Sequence, residues 1–237
     1  MDKILRGGEM IGIFNEDCMD LMSRYPDKHF DLAIVDPPFL KGPSTPEFYW
    51  GKKSKPRGKY AKTEHWDIPD QDYYNELIRV SKNQIIFGIN YLNFQGVPPG
   101  RIVWDKKNDK STYSDGEIAS CSLITSVRFF RYLWMGFVQE KKNDFDIRIH
   151  PTQKPVLIYK WILDKFGKPG WNILDTHLGS GSIAIACYDM GFNLTAAEID
   201  ETIYSEAIKR IKDYSSQGVF NFGGGGVIML ILWRVKL

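Results

Sequence analysis

Apolar positions along the chain fall into short continuous runs that alternate with stripes spaced for helices. Met10 to Asn15 predicts a short strand. Asp17 to Arg24 predicts a helical turn, closed by Tyr25-Pro26. Asp31 to Val35 is a continuous apolar run that predicts a buried strand. It stops at Asp36-Pro37-Pro38-Phe39, because two prolines remove two backbone donors and end sheet pairing. The pattern predicts a helix at Gln71 to Ser81, strands at Gln84 to Ile89 and Arg101 to Asp105, and a further strand region at Ile118 to Val127. Pro155 to Phe166 predicts a helix with proline in its first turn. Asn172 to Asp175 predicts a strand that enters the turn Thr176 to Gly181 and then a helix at Ser182 to Met190. A strand at Asn193 to Ile199 and a helix at Glu201 to Tyr214, with basic residues at its end, complete the series. This alternation predicts an α/β layered fold.

The pattern fails between Leu40 and His65. That segment carries Lys41, Lys52, Lys53, Lys55, Arg57, Lys59 and Lys62 against two acids, Glu47 and Glu64, with Phe48, Tyr49, Trp50 and Tyr60 among them. A long irregular segment inside a compact domain is usually functional or disordered.

Composition changes the picture in two ways. The 237 residues carry 31 basic and 29 acidic side chains, a net charge of +2, so the chain as a whole is not a strongly cationic nucleic-acid binder. Because Leu40 to His65 concentrates the positive charge, the remainder is slightly acidic. The three cysteines, Cys18, Cys121 and Cys187, are far apart and form no disulfide framework or paired metal motif. No apolar leader opens the sequence, and Val227 to Trp233 is far short of the ~20 residues that span a bilayer. The expectation is a soluble, cytoplasmic protein without membrane contact. It comprises one domain over 1–222 and a glycine-rich tail at 223–237 to which the sequence assigns no role.

Two short stretches carry candidate chemistry. In the first, Gly179 and Gly181 let the backbone approach a ligand and aim helix N–H groups at it. Asp175 ends the preceding strand and Glu198 the following one, where an acid suits ribose hydroxyls. The spacing departs from the dinucleotide fingerprint, which favours a smaller adenosine-containing ligand. A plain strand–helix turn with surface acids would use the same residues. In the second stretch, the Asp36 carboxylate and the Pro37 carbonyl offer two acceptors that match the two N–H donors of an exocyclic amine. Phe39 offers a flat face for a planar base. A strand terminator with a buried phenylalanine is the plainer reading.

Taken together, these stretches resemble the S-adenosylmethionine-dependent amino-methyltransferases of DNA. Asp36-Pro37-Pro38-Phe39 resembles their D-P-P-[YF] motif, and Asp175 to Ser182 is similar to their D-x-F-x-G-S-G-T cofactor loop. The first motif comes early and the second late, an order that resembles the circularly permuted β class. Asn15 to Cys18, Ile102 to Lys106, Asp115 to Ala119 and His150 to Pro155 resemble further elements of that class. Glu16 stands where glycine is usual, and His177 where phenylalanine is common.

The resemblance implies a Rossmann-like mixed sheet with helices on both faces, in the circularly permuted methyltransferase arrangement. It implies S-adenosylmethionine as cofactor: Asp17 and Cys18 at the adenine, Glu198 at the ribose, and Asp36, Asp175, Gly179, Ser180, Gly181 and Ser182 along the methionine end. Thr152 and Lys154 would neutralise the methionine carboxylate. Asp36, Pro37, Pro38 and Phe39 would form the catalytic motif. By the same resemblance the chain would act on adenine N6 in DNA, either flipped out of a duplex or single-stranded, with cytosine N4 as the alternative. A catalytically silent DNA-binding subunit is a third reading. The lysines and arginine of Leu40 to His65 would contact DNA. Arg128 and Arg131, in a second DNA-contact insertion over 127–149, would join them. A homodimer is plausible for the class.

Overall fold

The computed structural model describes residues 1–6, 8–39, 67–108, 114–134, 149–150 and 152–217. The lysines and arginine of Leu40 to His65, the Lys141-Lys142 pair and the tail at 223–237 lie outside these residues.

A single nine-stranded sheet runs in the order β1-β2-β9-β8-β3-β4-β6-β5-β7. Its strands are β1 (Asp2–Arg6), β2 (Glu9–Phe14), β3 (Leu32–Val35), β4 (Gln84–Phe87), β5 (Arg101–Asp105), β6 (Gly116–Cys121), β7 (Val127–Arg131), β8 (Asn172–Asp175) and β9 (Asn193–Ala197). The helices are α1 (Cys18–Ser23), α2 (Gln71–Val80), α3 (Val156–Phe166), α4 (Ser182–Met190) and α5 (Glu201–Gln217).

Strands β2, β9, β8, β3 and β4 pair in parallel, and they are the buried centre of the sheet. The continuous apolar runs follow from this, since a parallel strand is covered on both faces. Within β3, Leu32 and Ile34 pack into the layer with α3, α4 and α5, while Ala33 and Val35 pack into the layer with α1 and α2. Helices therefore cover both faces, as expected for the Rossmann-like arrangement.

Four details differ from the sequence reading. The N-terminal segment forms β1, antiparallel to β2; its alternation of exposed and buried positions over five residues is a weak signal. The single strand region expected at 118–127 is two strands, β6 and β7, that flank β5 on either side. Pro155 is the N-cap of α3 in extended conformation, one position before the first turn. Helix α5 runs on to Gln217, so its basic residues lie inside it and its last turn carries none.

Candidate active site

Parallel pairing places the carboxyl ends of β2, β9, β8, β3 and β4 along one edge. In spatial order that edge carries Asp17, Glu198, Asp175, Asp36 and Gly88, although the chain order is different. Strand order reverses between β8 and β3, and ligands of open α/β sheets bind at that reversal. Asp175 and Asp36 stand on either side of it. Strand β6 is antiparallel to β4, so its first residues, Gly116 and Glu117, return to the same edge. Strand β5 brings Asp105 and Lys106 there too.

Asp36 follows the last residue of β3, where the prolines release the chain from the sheet. Its Oδ2 accepts from Lys154 Nζ at 2.5 Å. Its Oδ1 is buried and has no hydrogen-bond partner among the described residues. Burial raises the Asp36 pKa, Lys154 opposes that, and Glu117 adds to it. The Lys154 side chain is only 2% exposed. Its ammonium also lies 2.9 Å from Glu117 Oε2 and 4.7 Å from the centre of the Phe87 ring. Burial works against the Lys154 charge, but Asp36 and Glu117 hold its pKa above the ordinary lysine value. Glu117 Oε1 in turn accepts from Lys106 Nζ at 2.6 Å. Burial opposes ionisation of Glu117, yet Lys154 and Lys106 hold its pKa down at about 2.

Phe39 packs parallel to Tyr91, with ring centroids 5.3 Å apart and planes 8° from parallel. Tyr91 is 52% exposed, so the pair opens to solvent on that side. A Cβ on Gly88 would lie 2.1 Å from the Phe39 ring, and Gly88 has φ +68°. Only glycine fits there on both counts.

On the other side of the reversal, Asp175 is buried and accepts from the His177 N–H at 3.1 Å through Oδ1. Burial pushes its pKa up to about 8, with Asp36 and Glu198 contributing. Glu198 Oε2 accepts from the Gly179 N–H at 2.9 Å, and Oε1 accepts from the Asp200 N–H at 3.0 Å. Burial raises its pKa in spite of these bonds. Asp17 caps α1 by accepting from the Met19 N–H at 2.7 Å. Cys18 begins that helix, and burial together with Asp17 pushes its thiol up to about 12. His177 stacks edge-on against Tyr73 at 5.5 Å, which is how a phenylalanine would use the position.

The two glycines of the loop do different work. Gly179, at φ +53°, has no atom nearer than 4.0 Å to the Cβ it lacks, so its face is open. Gly181, at φ +76°, would drive a Cβ to 2.8 Å from Ile211 of α5. Gly181 is thus a glycine its packing requires, and Gly179 is the one with an open face. Ser180 and Ser182 are buried and turned inward: Ser182 Oγ donates to the Lys154 carbonyl at 2.8 Å, and Arg210 of α5 donates to the Ser180 carbonyl at 2.7 Å.

Two further expectations change. Lys154 was expected to neutralise a carboxylate of the ligand, but its ammonium is already shared by two protein carboxylates. Thr152 is exposed, and its hydroxyl lies 3.0 Å from His150 Nδ1. Arg128 and Arg131 were expected in a DNA-contact insertion over 127–149. They are three positions apart on β7 and so project from opposite faces of the sheet. Arg131 lies at the functional edge, opposite Asp105, 3.3 Å from its carboxylate and 4.7 Å over the Phe129 ring. Residues 127–131 are an edge strand rather than part of an insertion. Glu117 and Lys106 complete the charge cluster and had no assigned role. Both lie in quoted stretches, so the signal was present without its geometry.

The profile of the DNA methylase family that methylates N6 of adenine or N4 of cytosine matches residues 42–209. The chain belongs to this family. The matched residues begin after Phe39, so Asp36 to Phe39 lie outside them. The chain is 23% identical over 216 residues to YubD of Escherichia coli (strain K12), a provisionally named methylase, covering 82% of this chain and 87% of that one. It is 22% identical over 251 aligned positions to the type II methyltransferase M.HinfI of Haemophilus influenzae, covering 85% and 68%. In fold it is similar to the M1.HpyAVI–SAM complex, with TM-score 0.53, 18% identity and coverage of 85% and 100%.

This methylase family uses S-adenosylmethionine, and the residues present fit it. The cofactor carries a sulfonium and an ammonium, both cationic. The edge offers buried carboxylates at Asp175 and Glu198, neither of which forms an ion pair among the described residues, and an open approach over Gly179. Among the described residues, no helix is long and apolar enough to cross a membrane.

Proposed function

We propose that this methylase acts on the N6 amine of adenine in DNA, with Asp36, Pro37 and Phe39 as the residues that receive the base. The observation that carries the reading is the buried Oδ1 of Asp36, which has no partner among the described residues. A buried acceptor without a donor is costly, and a substrate N–H satisfies it.

An aromatic amine is a poor nucleophile because its lone pair is delocalised into the ring. Asp36 Oδ1 and the Pro37 carbonyl accept its two hydrogens, which draws the nitrogen toward tetrahedral geometry and frees the lone pair. When bound, S-adenosylmethionine supplies an electrophilic methyl group on a sulfonium sulfur that departs as a neutral thioether. The same two acceptors stabilise the positive charge that develops on nitrogen. The methylated amine then loses its extra proton to water, so Asp36 need not be a strong base. Asp175 and Glu198 bind and orient the cofactor; Phe39, backed by Tyr91, stacks on the base. A stacked base must leave the duplex or be single-stranded to reach this edge. Lys41, Lys52, Lys53, Lys55, Arg57, Lys59 and Lys62 supply phosphate contacts, with Arg131 at the edge.

The aspartate favours adenine over cytosine, since cytosine-N4 members of the resembled class commonly carry serine at that position. Incubation with labelled S-adenosylmethionine and unmethylated DNA, followed by nucleoside mass spectrometry, tests the reading. N6-methyladenine is the expected product. N4-methylcytosine would overturn the base assignment, and no product in a protein that binds both ligands would favour the silent-subunit reading. Asp36→Ala is expected to lower the rate about 100-fold or more.

A further inference from the structure

Among the described residues, Lys154 and Glu117 are the most deeply buried ion pair outside the residues that receive the base, and the proposed chemistry has not used them. Three carbon frameworks meet at the Lys154 ammonium. Asp36 arrives from the end of β3, Glu117 from the start of β6, and Lys154 from the segment leading into α3. Lys106, beyond β5, closes the row on the far side of Glu117. The row is therefore Lys106, Glu117, Lys154, Asp36, with alternating charge. Ser182 fixes the Lys154 backbone from the start of α4, so both ends of the lysine are held.

A buried ammonium held by two carboxylates is not available to a ligand carboxylate. What it does is choose between the two oxygens of Asp36. Its bond to Oδ2 leaves Oδ1 as the acceptor without a partner. It also turns the carboxylate plane, since the side chain is held at one oxygen.

We infer that Lys154, itself held by Glu117, is a positioning residue that orients Asp36 so that Oδ1 faces the target amine. This rests on the proposed role of Asp36 as acceptor. Neither Lys154 nor Glu117 touches the reacting atoms. Their effect reaches the reaction through the orientation and ionisation of Asp36.

The titratable and charged groups that face Asp36 are Lys154, Glu117 and Lys106 from the row, Asp175 from β8, Tyr73 from α2 and Tyr159 from α3. Both tyrosines stay neutral, because burial pushes their hydroxyls well above the ordinary value. The acid limb of the rate then depends on Asp36 and on its two charged neighbours in opposite ways. Lys154 favours the carboxylate, and Glu117 opposes it.

The experiment compares wild type with Lys154→Gln, Lys154→Arg, Glu117→Gln and Asp36→Asn. Methyl transfer to DNA is measured from pH 5 to 9, with S-adenosylmethionine affinity by calorimetry and folding by thermal melt. Lys154→Gln is expected to lower kcat by about tenfold or more and to move the acid limb to higher pH. Glu117→Gln is expected to lower kcat and to move the limb to lower pH. KM for DNA and cofactor affinity should stay within about threefold, and Lys154→Arg should recover part of kcat. A purely structural role would move the two limbs together or not at all. Unshifted limbs, or loss of cofactor affinity in step with kcat, would overturn the inference; the second result would return Lys154 to the cofactor. Asp36→Asn separates the levels. If it is inactive while the limbs of the other variants stay put, the positioning inference fails alone. If it keeps wild-type activity, the acceptor role of Asp36 fails and the inference with it. Should Lys154→Gln not fold, Glu117→Gln, which preserves shape, decides by the direction of its limb.

Discussion

Asp175 and His177 stand two positions apart and titrate in opposite senses. Burial lowers the His177 pKa to about 4 from 6.5, with Asp17 opposing. The unfolded chain therefore takes up a proton first as the pH falls. Stability from His177 is complete above 6.5 and is lost as pH falls toward 4. The Asp175 pKa is raised to about 8 from 3.8. Its contribution is complete below 3.8 and is lost as pH rises through 8. Urea melts across pH 4 to 9 should separate the two. Relative to wild type, His177→Phe gains stability as pH falls from 6.5 to 4, and Asp175→Asn gains it as pH rises toward 8, each by about 1–3 kcal/mol. A cationic cofactor binds the ionised Asp175, so affinity for S-adenosylmethionine should rise with pH up to about 8, with proton release visible as a buffer-dependent calorimetric heat. A flat affinity profile would remove Asp175 from the cofactor. Gly88→Ala belongs to the same scale. It puts a methyl into the Phe39 ring and strains a left-handed position, so a lower urea midpoint and a raised KM for DNA are expected together.

At the scale of elements, the loop from β8 to α4 makes a sharper claim. Its two glycines share a sequence signature but not a neighbour. Gly181→Ala should cost about 2–4 kcal/mol of stability, through backbone strain and the push against Ile211. Gly179→Ala should cost only about 1–2 kcal/mol and should instead weaken cofactor binding, since its added methyl enters the open face. Denaturant melts and calorimetry on both variants check this. The motif was legible in the sequence because spacing and chirality are local. The division of labour was not, because Ile211 arrives from another helix. The strands of the centre were legible for the same local reason: β3, β4 and β8 carry continuous apolar runs. Strand β1 and the split between β6 and β7 depend on partners far along the chain, and half-exposed edge strands lose the run of apolar residues that announces a buried one.

For the molecule as a whole, the site is a line of residues from six strands that run one way and one, β6, that runs the other, gathered on one edge. A ligand that spans Asp175, Glu198 and Asp36 ties the two halves of the sheet together. S-adenosylmethionine at 100 times its Kd should stabilise the protein by about 2.7 kcal/mol, and the rise in Tm should follow cofactor concentration. A Tm unmoved by the cofactor would contradict binding at this edge. The resemblance named Asp17, Glu198, Asp175 and Asp36 on that line, but nothing local in the sequence announced that Lys154 sits between Asp36 and Glu117. Its contact with Asp36 spans 118 positions of sequence, and no local pattern encodes such a pairing. Strand order carries a last consequence, for the way the chain is made. Strands β2 and β3 come early from the ribosome, but β9 and β8 fill the space between them and come late. Until they do, the nascent protein holds two part-sheets whose facing edges have unsatisfied backbone groups, the kind of edge that invites wrong pairing. The middle of this sheet is a keystone set last, and the reversal point that receives the ligands comes into being only with it.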